Sequence, residues 1–244
     1  MTRVRVMLDY VHPWPNAAGF YVARERGWYR ECGIDVELTT HDYARGDTLA
    51  HLARYEVDFG VFPSNRLLVR RENHEPLVGV AAVNQTGLET IQVLRASGID
   101  RPRELEGHRI GYGLTPRGRA MVSHLVSSDG GDPSKVVSVE SAGHELTPEY
   151  LVASGLDALF GGYWCWDVLS REVPEDRLRT WRVDEIGAPA YHSYLLGTQE
   201  STIETSPELV RNFVQATQRG FHAAAHDQPR TAALIGRAVP YQPA

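Results

Sequence analysis

The sequence predicts an α/β protein of two successive units, on three observations. Apolar strands and amphipathic helices alternate along the chain, the alternation restarts near Leu88, and a late strand reads as a return to the first unit. Each unit is expected to be a mostly parallel sheet flanked by helices. The expected boundaries are 1–88 for the first part of lobe I, 89–191 for lobe II and 192–244 for the return to lobe I. Two such units with a doubled connection imply two lobes around a cleft, a geometry that closes on ligands by hinge motion.

In the first unit, Val4, Val6 and Leu8 alternate as strand residues do, and the helical run from Ala18 to Glu25 ends at Gly27, a natural left-handed stop. Cys32 ends the next helical segment and reads as a small core residue. Ile34, Val36 and Leu38 point one way and Asp35 and Glu37 the other. Leu49, Leu52 and Ala53 form a helical stripe. Val57, Phe59 and Val61 form the next strand, stopped by Pro63-Ser64-Asn65, and Leu77 to Val83 is a continuous apolar run typical of a strand buried on both faces.

The second unit repeats the grammar. Glu89 to Leu94 and Arg109 to Tyr112 read as strands, and Gly113-Leu114-Thr115-Pro116-Arg117-Gly118 leads into a helix with Met121, Val122 and Leu125 on one face. Asp129-Gly130-Gly131-Asp132-Pro133 breaks the chain before a strand at Val136 to Val139. Thr147-Pro148 is an N-cap with proline at the first helical position, and that helix ends at Gly155. Leu156 to Phe160 is a strand running into Gly161-Gly162-Tyr163-Trp164-Cys165-Trp166-Asp167. After Tyr191-His192, Tyr194-Leu195-Leu196 is the returning strand, and Ser206-Pro207-Glu208 starts a helix that buries Leu209, Val210, Phe213, Val214 and Phe221.

Composition narrows the function. At 244 residues the chain can bury a full core, and 42% hydrophobic with 23% charged residues is ordinary for a globular protein. A net charge of -6 argues against nucleic acid as the partner, because phosphate binding wants a basic face. Lys135 is the only lysine, so Schiff-base chemistry has a single candidate, in a turn before a strand. Cys32 and Cys165 cannot build a disulfide framework or a structural zinc site. No apolar run reaches membrane-spanning length, so no membrane insertion is expected. Met1-Thr2-Arg3 moves at once into a strand; the expected localisation is cytoplasmic as written, and extracytoplasmic if a leader has been removed.

The segment Leu8-Asp9-Tyr10-Val11-His12-Pro13-Trp14-Pro15-Asn16 is the strongest ligand-site signal. It carries polar and aromatic groups from the end of a strand to the start of a helix, the place where open α/β sheets bind ligands. Thr115-Pro116-Arg117-Gly118 offers helix N-terminal N–H groups and a guanidinium as an anion seat, although good capping accounts for the same residues. His222 and His226, four apart, have a chelating spacing, but no third ligand accompanies them and a solvated helix face is the reading taken. Neither a metal nor a cofactor is expected. Cys165 would need a base such as His12 or His192 to act as a nucleophile, and packing beside two tryptophans is the simpler role.

As a set, Leu8-Asp9-Tyr10 with Asn16, Gly19-Phe20-Tyr21-Val22-Ala23, Gly27-Trp28-Tyr29, Gly33-Ile34-Asp35-Val36, Val57-Asp58-Phe59-Gly60, Leu105-Glu106-Gly107-His108-Arg109-Ile110-Gly111 and Gly155-Leu156-Asp157-Ala158 with Gly161-Gly162-Tyr163-Trp164 resemble a known family. It is that of the thiamine-pyrimidine, nitrate, taurine and alkylsulfonate binding proteins of ABC transporters. The resemblance implies the two-lobed type II periplasmic-binding-protein fold, with the ligand held between the lobes by loops after the strands. Carried over, lobe I would offer Asp9, Tyr10, His12, Trp14, Asn16, Ser64 and Asn65. Lobe II would offer Thr115, Arg117, Tyr163, Trp164, Trp166 and Asp167, with Tyr191 and His192 near the return crossing.

Tyr10, Trp14, Tyr163, Trp164 and Trp166 suit stacking on a flat ring, and Asp167 suits its N–H groups; the Trp164-Cys165-Trp166-Asp167 end is similar to the aromatic-plus-acid pattern of the pyrimidine-precursor binders, and that resemblance implies a nitrogen-rich heterocycle over a sulfonate. The expected function is a small-molecule binding protein of an ABC-type uptake system, with a permease as partner and no covalent chemistry. Family members carry further C-terminal helices on lobe I, so a reduced lobe I is expected. Two alternatives stay open: an intracellular enzyme on the same scaffold acting on a small aromatic or heterocyclic substrate through His12, His192, Asp167 or Cys165, and an intracellular sensor or carrier. The resemblance also extends to a fungal-type enzyme that makes the thiamine pyrimidine from its own histidine and pyridoxal phosphate. It needs a lysine after the Val-Asp-x-Gly strand and a later cysteine-rich stretch. Gly60-Val61-Phe62-Pro63-Ser64-Asn65-Arg66 and Ala188-Pro189-Ala190-Tyr191-His192-Ser193 contain neither, so that chemistry is rejected.

Overall fold

Strands and helices alternate in the computed structural model, which describes residues 1–9, 15–40, 43–112, 116–140, 147–163 and 173–238. From the N-terminus run β1 (Thr2–Leu8), α1 (Ala18–Glu25), the single turn α2 (Trp28–Glu31), β2 (Ile34–Thr40), α3 (Thr48–Ala53), β3 (Phe59–Pro63), α4 (Ser64–Glu72) and β4 (Leu77–Asn84). Next come β5 (Glu89–Leu94), β6 (Arg109–Tyr112), α5 (Pro116–Ser128), β7 (Val137–Glu140), α6 (Pro148–Ser154), β8 (Ala158–Tyr163) and β9 (Leu178–Arg182). The chain closes with β10 (Tyr194–Gln199), α7 (Glu200–Thr205), α8 (Pro207–His226) and α9 (Gln228–Ala238). It divides into two compact units, Met1–Gln85 with His192–Ala244, and Thr86–Tyr191.

The first unit has a five-stranded sheet in the order β2-β1-β3-β10-β4. β1 is parallel to β2 and β3, whereas β10 is antiparallel to β3 and β4, so four strands run one way and β10 runs against them. Side-chain alternation gives the sheet two apolar faces. On one, Phe213 of α8 stacks on Phe59, with centroids 4.2 Å apart, and on Tyr29, at 5.2 Å. The Tyr29 hydroxyl donates to Thr217 Oγ1 at 2.7 Å, because the Thr217 proton is already committed to the Phe213 carbonyl at 2.8 Å. On the other face, Met7, Leu49, Leu52, Val57, Phe62, Leu67 and Leu77 form the core beneath α3 and α4. α1 and α8 touch backbone to backbone: a Cβ on Gly220 would collide with the Gly19 carbonyl.

The second unit has the order β7-β6-β8-β5-β9. β6 is parallel to β7 and β8, and β5 is antiparallel to β8 and β9. Ile91, Val93, Ile110, Tyr112, Ala158 and Phe160 meet Val122, Leu125 and Val126 of α5. Leu151, Leu156, Leu159, Val173 and Leu178 form a separate cluster with α6. The Thr147 hydroxyl accepts from the Tyr150 N–H at 3.3 Å, which caps α6, and Gly155 ends it at φ 62°.

In both sheets the reversed strand holds the fourth place, and each is the first strand the chain makes after entering that unit. Its beginning therefore lies among the carboxyl ends of its neighbours. Thus Tyr194 pairs with Pro63 and Asn84, and Glu89 with Tyr163. The carboxyl edge of each sheet is consequently the edge at which the chain passes to and from the other unit.

Several expectations need correction. Leu77 to Val83 was expected to be buried on both faces, but β4 is an edge strand in which Leu77 alone is buried, because β10 pairs with it on one side only. Cys32 is exposed, since Tyr29 is the residue α2 turns inward. Ala53 is exposed at the end of α3, the third strand of unit 2 begins at Val137 and not Val136, and β8 starts at Ala158, two residues later than expected. In α8 Val210 and Phe213 are buried, while Leu209, Val214 and Phe221 are half-buried. Among the described residues no helix is long and apolar enough to cross a membrane.

Candidate functional site

The carboxyl edge of the first unit collects polar groups from five places in the sequence. Asp9 follows β1 and is buried, with only 7% of its surface exposed. Its carboxyl accepts from the hydroxyls of Tyr194 and of Thr48, the latter at 3.5 Å. Burial pushes its pKa from 3.8 up to about 6, with Arg66 opposing the shift and Asp47 adding to it. This carboxyl thus changes charge close to neutrality. Arg66 itself lies 3.5 Å from Asp47, which also caps α3 by accepting from the Ala50 N–H.

Asn16, in the turn before α1, receives a hydrogen bond on Oδ1 from Asn84 Nδ2 at 3.1 Å. Asn84 ends β4, and its own Oδ1 is buried and has no hydrogen-bond partner among the described residues. The backbone draws the same edge together, because Ser193 N–H donates to Asn84 O at 3.1 Å and Ser64 N–H to Ser193 O at 3.0 Å. An acceptor left open at the same edge as a buried carboxyl suits a ligand with N–H groups.

The second unit builds its edge around a charge cluster. Glu89 is buried at the start of β5 and forms an ion pair with Arg117, in the first turn of α5, and accepts from the Tyr191 hydroxyl. Arg117 Nη2 also donates to that hydroxyl, at 2.9 Å, and its guanidinium stands 5.4 Å from the Tyr191 ring centre. Burial, and then the Glu89 charge, push the Tyr191 hydroxyl well above its ordinary pKa, with Arg117 pulling the other way. Two glycines permit the assembly. A Cβ on Gly118 would press on Phe160 and Tyr112 at 3.0 and 3.1 Å, and one on Gly87 would meet the Tyr191 hydroxyl at 2.8 Å.

Of the residues singled out from sequence, Asp9 and Asn16 lie in the first edge, where Ser64 also opens α4, and Arg117 and Tyr191 meet in the second. Asn65 and His192 are exposed. Tyr163 ends β8 opposite Glu89. Tyr10, His12, Trp14, Thr115, Trp164, Cys165, Trp166 and Asp167 lie outside the described residues. The anion seat expected at Arg117 is altered by its surroundings: Glu89 already neutralises the guanidinium. His222 and His226 are exposed on α8, with the His226 ring bonded to the His222 carbonyl at 2.7 Å. Sequence reasoning missed Glu89, Asn84, Thr48 and Tyr194. Glu89, Asn84 and Tyr194 were marked only by position, where apolar strands begin or end, and Thr48 only by opening α3.

Solved structures share this fold. The periplasmic aliphatic sulphonate binding protein SsuA from Escherichia coli matches with a TM-score of 0.75 at 13% identity, over 99% of this chain and 76% of that one. A Candida albicans protein described as having the generic periplasmic binding protein fold matches with a TM-score of 0.64 at 15% identity, over 99% and 78%. The architecture is that of periplasmic binding proteins. Among curated proteins, the formylaminopyrimidine-binding protein of Halalkalibacterium halodurans is 28% identical over 222 residues, 89% of this chain and 65% of the relative. The 4-amino-5-hydroxymethyl-2-methylpyrimidine phosphate synthase of Legionella pneumophila is 24% identical over 226 residues, 90% of this chain and 68% of the relative. The chain thus spans about two thirds of the length of these curated relatives. The model of the NMT1/THI5 like family matches residues 14–232. With nine-tenths of its length accounted for by that match, the chain belongs to the NMT1/THI5 like family.

Proposed function

We propose that this protein is the small-molecule binding component of an ABC-type uptake system, with a permease as its partner and an aminopyrimidine as its ligand. The observation that carries the reading is the pair of buried acceptors at the carboxyl edge of the first unit, the Asp9 carboxyl and the open Asn84 Oδ1. An aminopyrimidine presents N–H donors to such acceptors, and the loops that adjoin them in sequence carry Tyr10, Trp14, Trp164 and Trp166 for its flat faces. The Halalkalibacterium relative, named for binding a formylaminopyrimidine, supports the same class. A sulfonate, as in the name of the Escherichia coli protein, is disfavoured by two buried carboxyl groups and an arginine that is already paired.

The synthase relatives support a second reading, an enzyme that makes a pyrimidine phosphate, and the residues present do not fit the lysine-dependent chemistry expected of the fungal-type enzyme. The segment after β3 has no lysine. Lys135 precedes β7, at the opposite edge of the sheet from Glu89, and its ammonium lies 3.2 Å from Glu106. Titration calorimetry with 4-amino-5-hydroxymethyl-2-methylpyrimidine and its formylamino analogue tests the proposal. One-to-one binding without product is expected. Asn84→Ala, which removes both the open acceptor and the bond to Asn16, is expected to weaken binding about tenfold. No binding of either compound, or the appearance of a product, overturns the reading.

A further inference from the structure

Among the described residues, buried Asp9 makes no ion pair, and the groups around it explain why. The alternation of β1, carried one residue on, puts it on the face of Met7, beneath α3 and α4. α3 supplies Thr48, whose hydroxyl donates to Asp9 Oδ1 at 3.5 Å, and Asp47, whose like charge opposes ionisation. The other titratable group of α3, His51, is turned to Glu56 at 2.5 Å. α4 supplies Arg66 and Arg70, which lie 3.5 and 3.4 Å from Asp47, and β10 supplies the Tyr194 hydroxyl as a second donor. The strands beside β1 end in Thr40 and Pro63, which do not ionise. A carboxyl buried against neutral donors is costly to ionise, and its pKa of about 6 follows from that burial.

A carboxyl group has about four acceptor sites, of which the Thr48 and Tyr194 hydroxyls use two. When protonated it turns one of the others into a donor and keeps an acceptor beside it. The reverse pattern, a donor beside an acceptor, is the edge of an aminopyrimidine at which the exocyclic amine adjoins a ring nitrogen. An ionised carboxyl would set its lone pairs against that nitrogen, whereas one proton between them removes both the clash and the buried charge. We propose that Asp9 binds this edge of the ligand as a carboxylic acid, its hydroxyl facing the ring nitrogen and its carbonyl accepting from the amine, so that each ligand captured above neutral pH brings one proton with it. The inference rests on the reading that the first unit's edge binds an aminopyrimidine. The balance is one Asp9 carboxylate, one neutral ligand and one proton from the buffer, giving one neutral pair. Whether oxygen or ring nitrogen carries the proton in the pair leaves that count unchanged.

The test is calorimetry of the full chain with 4-amino-5-hydroxymethyl-2-methylpyrimidine, in phosphate and in Tris at one pH, because the dependence of the heat on the buffer counts protons. At about pH 8, wild type is expected to take up close to one proton per ligand, and its affinity is expected to fall about tenfold for each further pH unit. Asp9→Asn presents a donor and an acceptor at every pH. It is expected to bind with no proton uptake and with an affinity that is flat over this range. Thr48→Ala removes a donor that favours the carboxylate, so the pH at which affinity begins to fall is expected to rise. Wild-type binding without proton uptake overturns the proposal and leaves the aminopyrimidine reading intact. Uptake that persists in Asp9→Asn also overturns it, since the proton then belongs to another group. Should Asp9→Asn bind too weakly to titrate, Thr48→Ala decides, and an unchanged pH profile in that variant overturns the proposal. Absence of any binding by wild type overturns the inference and the reading together.

Discussion

Replacing Asp9 by Asn should stabilise the protein, and by an amount that depends on pH. The carboxyl is 7% exposed, and its pKa is raised by burial from 3.8 to about 6. The folded state therefore holds a proton that the unfolded chain releases between these two values. Stability falls as pH rises through that window, the opposite of the usual carboxylate. From the two pKa values, the cost of ionising Asp9 in the fold is about 0.5 kcal/mol at pH 4 and about 3 kcal/mol above pH 7. Asparagine keeps the size and an acceptor oxygen for Thr48 and Tyr194 but carries no charge. Urea unfolding of wild type and Asp9→Asn across pH 4 to 8 reads the difference directly, because every other titrating group cancels. The variant should gain roughly 2.5 kcal/mol relative to wild type between the ends of that range. A difference that is flat with pH, or that turns in favour of wild type as pH rises, would refute the assignment of a carboxyl whose burial outweighs its partners.

Other consequences follow from the packing. Phe213→Ala removes the ring that stacks on both Phe59 and Tyr29 and should cost about 3–5 kcal/mol, read as a lower urea midpoint. Gly220→Ala forces a methyl group against the Gly19 carbonyl, and prising α8 from α1 should cost about 1–3 kcal/mol or more by the same assay. Tyr29→Phe leaves Thr217 bonded to Phe213 but without its donor, a loss of about 1 kcal/mol. Gly87→Ala forces a methyl group against the Tyr191 hydroxyl and Val183 and should cost about 1–3 kcal/mol by the same assay; an unchanged midpoint would show that the loop yields without cost.

Much of the fold was legible in the sequence because its signals are local. Val4-Val6-Leu8 and Ile34-Val36-Leu38 carry the strand period, Gly27 and Gly155 stop helices at φ 76° and 62°, and Thr147-Pro148 starts one. The candidate site was legible only as positions after strands. Asp9 and Arg117 were found because their loops are polar and aromatic, whereas Glu89 and Asn84 were overlooked because each looks like the frayed end of an apolar run. The apolar run at β4 misled for a related reason: composition records how hydrophobic a strand is, and an edge strand paired on one side carries the same residues as a central one.

By itself, then, the sequence determined the class of fold, its two strand–helix units and the strand ends where polar groups gather, since periodicity and capping are properties of neighbours along the chain. Tertiary structure alone decided which groups meet there. β10 inserts between β3 and β4, and that brings Asn84 beside Ser193 and Tyr194 beside Asp9. α5 settles on β6 and β8, and that brings Arg117 to Glu89 and to Tyr191, 74 residues away. Charge and protonation at the site depend on these distant partners and on the burial they impose. A carboxyl with a pKa of about 6 and an arginine whose charge is already met exist only once the strands have taken their order.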